Sequence, residues 1–143
     1  MKSKKIIIGS RGSKLALIYA ERAKARILEL CSDYEVKEVD IKKITTFGDI
    51  NQKDRLSEIG GKGLFSKQIE NELLNKKIDI AVHALKDMPS DETEGLITNC
   101  FLKRNDPREV LISNNDNLIK DLKPNSIVGT SSYRREFQLK KIR

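Results

Sequence analysis

Cations gather at three places in the sequence where glycine, serine or threonine stand beside them. These are Gly9-Ser10-Arg11-Gly12-Ser13-Lys14, Gly60-Gly61-Lys62-Gly63 with Leu64-Phe65, and Gly129-Thr130-Ser131-Ser132-Tyr133-Arg134-Arg135. Each falls where a strand or loop gives way to a predicted helix. A helix N-terminus carries partial positive charge, so a cation there is unfavourable by a few tenths to about 1 kcal/mol. Repeated three times, the pattern fits anion sites, in which free N–H groups, hydroxyls and guanidinium forks converge on a carboxylate or phosphate. The alternative at each place is a cation pointing into solvent. Arg134 and Arg135 are helix neighbours about 100° apart, so they suit two anions or two sides of one. The second segment is not a P-loop, because the spacing of that motif is missing.

A fourth segment, Asp79-Ile80-Ala81-Val82-His83-Ala84-Leu85-Lys86-Asp87-Met88-Pro89, runs from an apolar strand into an adjacent lysine and aspartate. Ligands of open α/β sheets bind outside the carboxyl ends of the strands, which is where Lys86 and Asp87 would stand. Lys86 suits a carboxylate; Asp87 suits a cation or an N–H donor. The same pair could instead close a salt-bridged turn. His83 reads as a hydrogen-bonded structural histidine rather than a catalyst.

The elements that would position these groups follow from local pattern. Lys5 to Gly9 is a short β-branched strand. Ser13 is placed to cap a helix whose Ala16, Ala20, Ala23, Ile27 and Leu30 share one face. Tyr34 to Ile44 alternates as a second strand, and 47–63 reads as a long loop. Leu64 to Lys77 is a helix with Phe65, Ile69 and Leu73 at steps of four, and Ile78 to Val82 a continuous apolar strand. Further strands are predicted at Leu96 to Leu102, Val110 to Ser113 and Ile127 to Gly129. Helices are predicted at Leu118 to Leu122 and Ser132 to Ile142. The order β-α-β-loop-α-β followed by β-α-β-α implies an α/β fold with mainly parallel strands. The second series stops one helix after its second strand, so Arg143 reads as a truncation point.

The 143 residues are 38% hydrophobic and 34% charged, a soluble, globular balance. Lysine and arginine number 28 against 21 acidic residues, a formal charge of +7 that favours an anionic partner. No stretch approaches the ~20 apolar residues of a membrane span, and Ile6-Ile7-Ile8 is too short for a signal-peptide core; the expected location is the cytoplasm. Cys31 and Cys100 lack paired or metal-like spacing and read as buried thiols, and with one histidine no metal site is expected. The seven aromatics do not interleave with basic residues, which argues against nucleic acid.

The segments Gly9-Ser10-Arg11 with Leu15-Ala16-Leu17, Thr46-Phe47-Gly48-Asp49, Gly60 to Phe65, Ala81 to Pro89, Asn105-Asp106-Pro107-Arg108 and Gly129 to Arg135 occur together and in order. In this the chain resembles the porphobilinogen deaminases along its whole length. The resemblance implies an enzyme that joins four porphobilinogen units into the linear tetrapyrrole hydroxymethylbilane, releasing ammonia at each step. The polypyrrole grows on a dipyrromethane cofactor held by a thioether to a cysteine. Each pyrrole carries an acetate and a propionate, which would account for the basic surplus.

The resemblance further implies that Asp87 is the catalytic acid residue, bonding pyrrole N–H groups and stabilising the positive azafulvene left when ammonia departs. Arg11, Ser13, Lys86, Thr130, Ser132, Arg134 and Arg135 match positions that bind cofactor or substrate carboxylates. Lys62 ends a segment like the family's mobile active-site loop. The implied fold is three α/β domains, the first two like periplasmic binding proteins. The first would cover residues 1–102, and 103–143 would be the truncated start of the second. The cofactor-bearing cysteine belongs to the third domain, and neither Cys31 nor Cys100 matches it. Many members have proline where Lys14 stands and glutamine where Tyr19 stands; some have lysine where Glu58 stands. The complete protein is expected to be a monomer with no nucleic-acid or membrane partner. A non-enzymatic anion-binding module of similar fold is the alternative, and it leaves Asp87 without a role.

Overall fold

The run of isoleucines at 6–8 forms the middle of a three-stranded parallel sheet. The computed structural model describes residues 4–31, 34, 36–50, 63–114 and 118–142. In chain order the elements are β1 (Lys4–Arg11), α1 (Lys14–Leu30), β2 (Val36–Ile44), α2 (Phe47–Ile50), α3 (Lys67–Leu74), β3 (Ile80–Ala81) and α4 (Tyr133–Ile142). The sheet order is β2-β1-β3. β1 and β2 pair from Lys4 with Val36 to Arg11 with Ile44, with a shift in register between Lys4 and Lys5. β3 pairs Ile80 with Ile8 and Ala81 with Gly9. The fold is therefore mixed α/β, as expected. The chain divides into two compact units, Met1–Leu102 and Lys103–Arg143.

Successive side chains of a strand point to opposite faces, so the isoleucine run serves two cores. Ile6 and Ile8 pack on one face with Ala20 and Ala23 of α1 and Val36 and Val39 of β2. Ile7 packs on the other with Ile44, Ile69 of α3 and Ile78. This is why the strand is a continuous apolar run rather than an alternating one. The alanines of α1 leave little side chain between helix and sheet, and Ala20 is fully buried. On the second face Gly9 is closely approached: a Cβ there would lie 2.3 Å from Cδ1 of the buried Ile78, whose side chain would have to shift.

Ser13 caps α1 as expected, its hydroxyl accepting from the Ala16 N–H at 3.3 Å. α3 begins later and ends sooner than the predicted 64–77. Gly63 at φ +80° sets a turn through Ser66, with the Lys67 N–H donating to the Gly63 carbonyl. At the other end Lys76 takes φ 55°, and the Lys77 N–H donates back to the Glu72 carbonyl, a left-handed stop that helical periodicity does not announce. β3 is shorter than Ile78 to Val82 by ladder, but the Asp79 and Val82 N–H groups still donate to Ile7 and Gly9 carbonyls.

Three predicted strands are absent. Residues 96–102, 110–113 and 127–129 are irregular. Val110, Ile112 and Ile127 are 81%, 91% and 98% exposed. Their apolar pattern is local, but a strand exists only against a neighbour, and none pairs with them among the described residues. Cys100 falls in the first of these segments and is exposed rather than buried, while Cys31 is half-buried against the α1 core. The predicted helix at 118–122 is a single 3-10 turn, Ile119–Asp121. The predicted loop at 47–63 is in part helical: α2 occupies its start, and 51–62 lie outside the described residues. Among the described residues no helix is long and apolar enough to cross a membrane.

Candidate active site

Because all three strands run parallel, their carboxyl ends open on one edge of the sheet. Arg11 ends β1, Thr46 to Asp49 follow β2, and His83 to Asp87 follow β3. A cleft of about 220 Å³ lies there, lined by Arg11, Ser13, Leu15, Ala16, Tyr19, Phe65, Val82, His83, Ala84, Lys86 and Asp87. Four of the predicted site residues, Arg11, Ser13, Lys86 and Asp87, thus meet in one place. Lys86 and Asp87 are carried on a 3-10 turn, Leu85–Asp87, closed by the Asp87 N–H on Ala84 and the Met88 N–H on Leu85. Pro89 follows, where the chain cannot donate further.

Arg11 is the electrostatic centre of the cleft. Its Nη2 donates to Asp49 Oδ1 at 2.6 Å and its Nε to the same oxygen at 3.1 Å. Its guanidinium carbon sits 3.9 Å above the Phe65 ring. Its Nη1 lies 3.7 Å from Asp87 Oδ2, an ion pair without a hydrogen bond. Asp49 is held in turn by Thr46, whose Oγ1 and N–H donate to Oδ2 at 2.7 and 3.2 Å. Burial pushes the Asp49 carboxyl up, but hydrogen bonds from Arg11 and Thr46 outweigh it and hold the group below the ordinary carboxylate range.

His83 forms the wall beside Asp87. Its Nε2 is buried with no hydrogen-bond partner among the described residues, so at that nitrogen the expectation of a hydrogen-bonded structural histidine fails. Burial lowers its pKa; Glu70 and Asp87 act to raise it and Arg11 to lower it. Glu70 is itself buried and accepts from Thr93 Oγ1 at 2.8 Å.

In the second unit Arg134 and Arg135 open α4 and both grip Glu109. Arg135 Nε donates to Glu109 Oε2 at 2.6 Å, and Arg134 Nη2 pairs with Oε1. The paired guanidiniums thus hold a carboxylate of the chain itself. Hydrogen bonds from Arg134 first, and then Arg135, hold Glu109 below its ordinary value. Thr130 Oγ1 accepts from the Ser132 N–H at 3.2 Å, and Ser132 Oγ accepts from the Arg135 N–H at 3.4 Å. Lys62, the remaining predicted site residue, lies outside the described residues.

Comparison with known proteins gives the chain a family. The model described as "porphobilinogen deaminase, dipyromethane cofactor binding domain" matches residues 6–143. The chain belongs to the porphobilinogen deaminase family. It is 47% identical over 140 residues to a porphobilinogen deaminase of Chlorobium chlorochromatii, covering 98% of this chain and 44% of that protein. Porphobilinogen deaminases of Bacillus mycoides and Bacillus cereus are each 48% identical over 136 residues, 95% of this chain and 43% of theirs. The chain therefore spans under half the length of the curated relatives it matches.

Around this cleft, three residues escaped the sequence reading. Asp49 and Thr46 stood in a matched motif without a role, and Phe65 was read as one step of a helix stripe. Thr46-Phe47-Gly48-Asp49 is a capping-box spacing with aspartate at its fourth position, and the Asp49 carboxylate does accept from the Thr46 N–H. That spacing was the available signal for α2. Nothing local indicated that the same carboxylate would also hold Arg11, 38 residues earlier.

Proposed function

We propose that the protein acts as a porphobilinogen deaminase, joining four porphobilinogen molecules into hydroxymethylbilane and releasing four molecules of ammonia. The observation that carries this reading is that Asp87 and Arg11 stand 3.7 Å apart without a hydrogen bond in a cleft at the carboxyl ends of parallel strands. As each C–N bond breaks and ammonia leaves, positive charge develops on the pyrrole. Asp87 is a fixed anion in the cleft wall, only 26% exposed, placed to stabilise that charge and to accept from the pyrrole N–H. Arg11, Lys86 and Ser13 take carboxylate arms. Ser13 accepts from Ala16 and so keeps its own O–H free to donate.

The donor set of the cleft fits a dipyrromethane. Two cations and a hydroxyl suit its acid groups, one carboxylate suits its N–H groups, and Phe65 and Tyr19 add aromatic lining. When bound, this cofactor supplies the pyrrole end on which the chain grows. Neither Cys31 nor Cys100 lines the cleft, and neither is assigned the cofactor's covalent attachment. Thr130, Ser132, Arg134 and Arg135 are assigned to further carboxylates, and Lys62 to cofactor or substrate binding. Residues 1–102 are read as a domain like those of periplasmic binding proteins, and 103–143 as belonging to a second of that kind. The working protein is read as a cytoplasmic monomer without nucleic-acid or membrane partners.

The test is direct: the full-length protein is incubated with porphobilinogen, and ammonia and linear tetrapyrrole are quantified. Four ammonia per tetrapyrrole supports the reading. Porphobilinogen that is bound but not consumed would favour a non-enzymatic anion-binding module.

A further inference from the structure

Asp49 has no part in the chemistry described above, yet it determines where Arg11 points. A guanidinium offers two edges and two faces. Asp49 takes the Nε/Nη2 edge, at 3.1 and 2.6 Å. Phe65 covers one face at 3.9 Å. Nη1 remains, 3.7 Å from Asp87. One cation therefore stands between two carboxylates, bonded to the first and only near the second. Arg11, Asp49 and Asp87 are 19%, 20% and 26% exposed, so solvent and salt screen these interactions weakly. Asp49 is itself anchored by Thr46, which is fully buried.

We propose that Asp49 is a positioning residue that holds Arg11 off Asp87, leaving the Asp87 carboxylate open to N–H donors and the Arg11 Nη1 edge open to a ligand carboxylate. This rests on the functional reading above. If Asp49 loses its charge, the nearest anion to Arg11 among the described residues is Asp87. Closing the present gap by about 1 Å would give the short, paired hydrogen bonds that arginine and carboxylate favour. Such a pair would consume the acceptor and the donor of the cleft together. Of the other neighbours, His83 and Lys86 carry no carboxylate, and the Glu70 carboxylate accepts from Thr93 Oγ1 at 2.8 Å.

The test uses the full-length protein with Asp49→Asn, Asp49→Glu, Arg11→Gln and the Asp49→Asn/Arg11→Gln double variant. A crystal structure of Asp49→Asn is expected to show Arg11 paired to Asp87 through two hydrogen bonds. Its kcat is expected to fall about 10- to 100-fold, the scale of an ångström-sized misplacement, with a smaller change in KM. The double variant is expected to be no slower than Arg11→Gln alone, and Asp49→Glu to recover most of the rate. Arg11 unmoved in Asp49→Asn with kcat within about twofold would overturn the proposal, as would losses that multiply in the double variant. Wild-type protein run alongside separates the two claims. If it makes no tetrapyrrole, the functional reading fails, and the position of Arg11 in the Asp49→Asn crystal still decides the role of Asp49.

Discussion

Gly48→Ala would place a methyl group where the Phe65 ring stands. A Cβ built on Gly48 lies 2.2 Å from Cε1, 2.6 Å from Cδ1 and 2.7 Å from Cζ of that ring. Ordinary contact starts at 3.4 Å, so the ring must retreat by about 1.2 Å or α2 must move. The Gly48 N–H donates to the Leu64 carbonyl at 3.0 Å, which ties α2 to the segment bearing Phe65 and limits that second escape. Overpacking of this kind costs about 1–3 kcal/mol. A displaced ring also leaves the Arg11 guanidinium, a contact worth about 0.5–2 kcal/mol. Urea unfolding followed by circular dichroism is expected to show a lower midpoint, and porphobilinogen consumption is expected to slow because Arg11 loses one of its supports. Adding Phe65→Leu should recover part of the stability, since it removes the colliding ring, but not the rate. An unchanged midpoint and an unchanged rate for Gly48→Ala would refute the reasoning.

Ile8 is fully buried at the centre of β1, so Ile8→Ala is expected to cost about 2–5 kcal/mol, read as a lower unfolding midpoint. His83 gives a pH prediction. Burial holds its folded pKa below the ordinary 6.5, so the unfolded chain binds the proton more readily. The stability it contributes is present above pH 6.5 and is lost as pH falls through the folded value. The unfolding midpoint of wild type is expected to drop over that window more than that of His83→Gln; identical profiles would count against it.

How much the sequence revealed depended on how local each feature was. β1, α1 and β2 were legible because their patterns carry their own partners: Ile6 and Ile8 meet Ala20, Ala23 and Val39 within a few dozen residues. Ser13 announced its cap, and Lys86 and Asp87 announced a strand end. What failed needed a distant partner. Val110, Ile112 and Ile127 are β-branched and apolar, but composition says nothing about whether a neighbouring strand exists to pair with them. α2 was overlooked because four residues are too few for a period, although its Thr46–Asp49 spacing was there to read. The stop of α3 at Lys76 rests on a backbone conformation that lysine rarely takes. At the site, the residue types were visible and their mutual arrangement was not. Arg11 could be read as a carboxylate ligand, but that it would be clamped by Asp49 on one edge and Phe65 on one face follows only from the fold.

The proposed role of Asp87 is to face the charge that develops as ammonia leaves. It is tested most directly by single-turnover consumption of porphobilinogen in the full-length protein, comparing wild type with Asp87→Ala and checking both for an unchanged unfolding midpoint. The rate is expected to fall about 10²- to 10³-fold or more, the usual loss when one fixed electrostatic partner of the transition state is removed. A folded Asp87→Ala protein that consumes porphobilinogen at close to the wild-type rate would contradict the account.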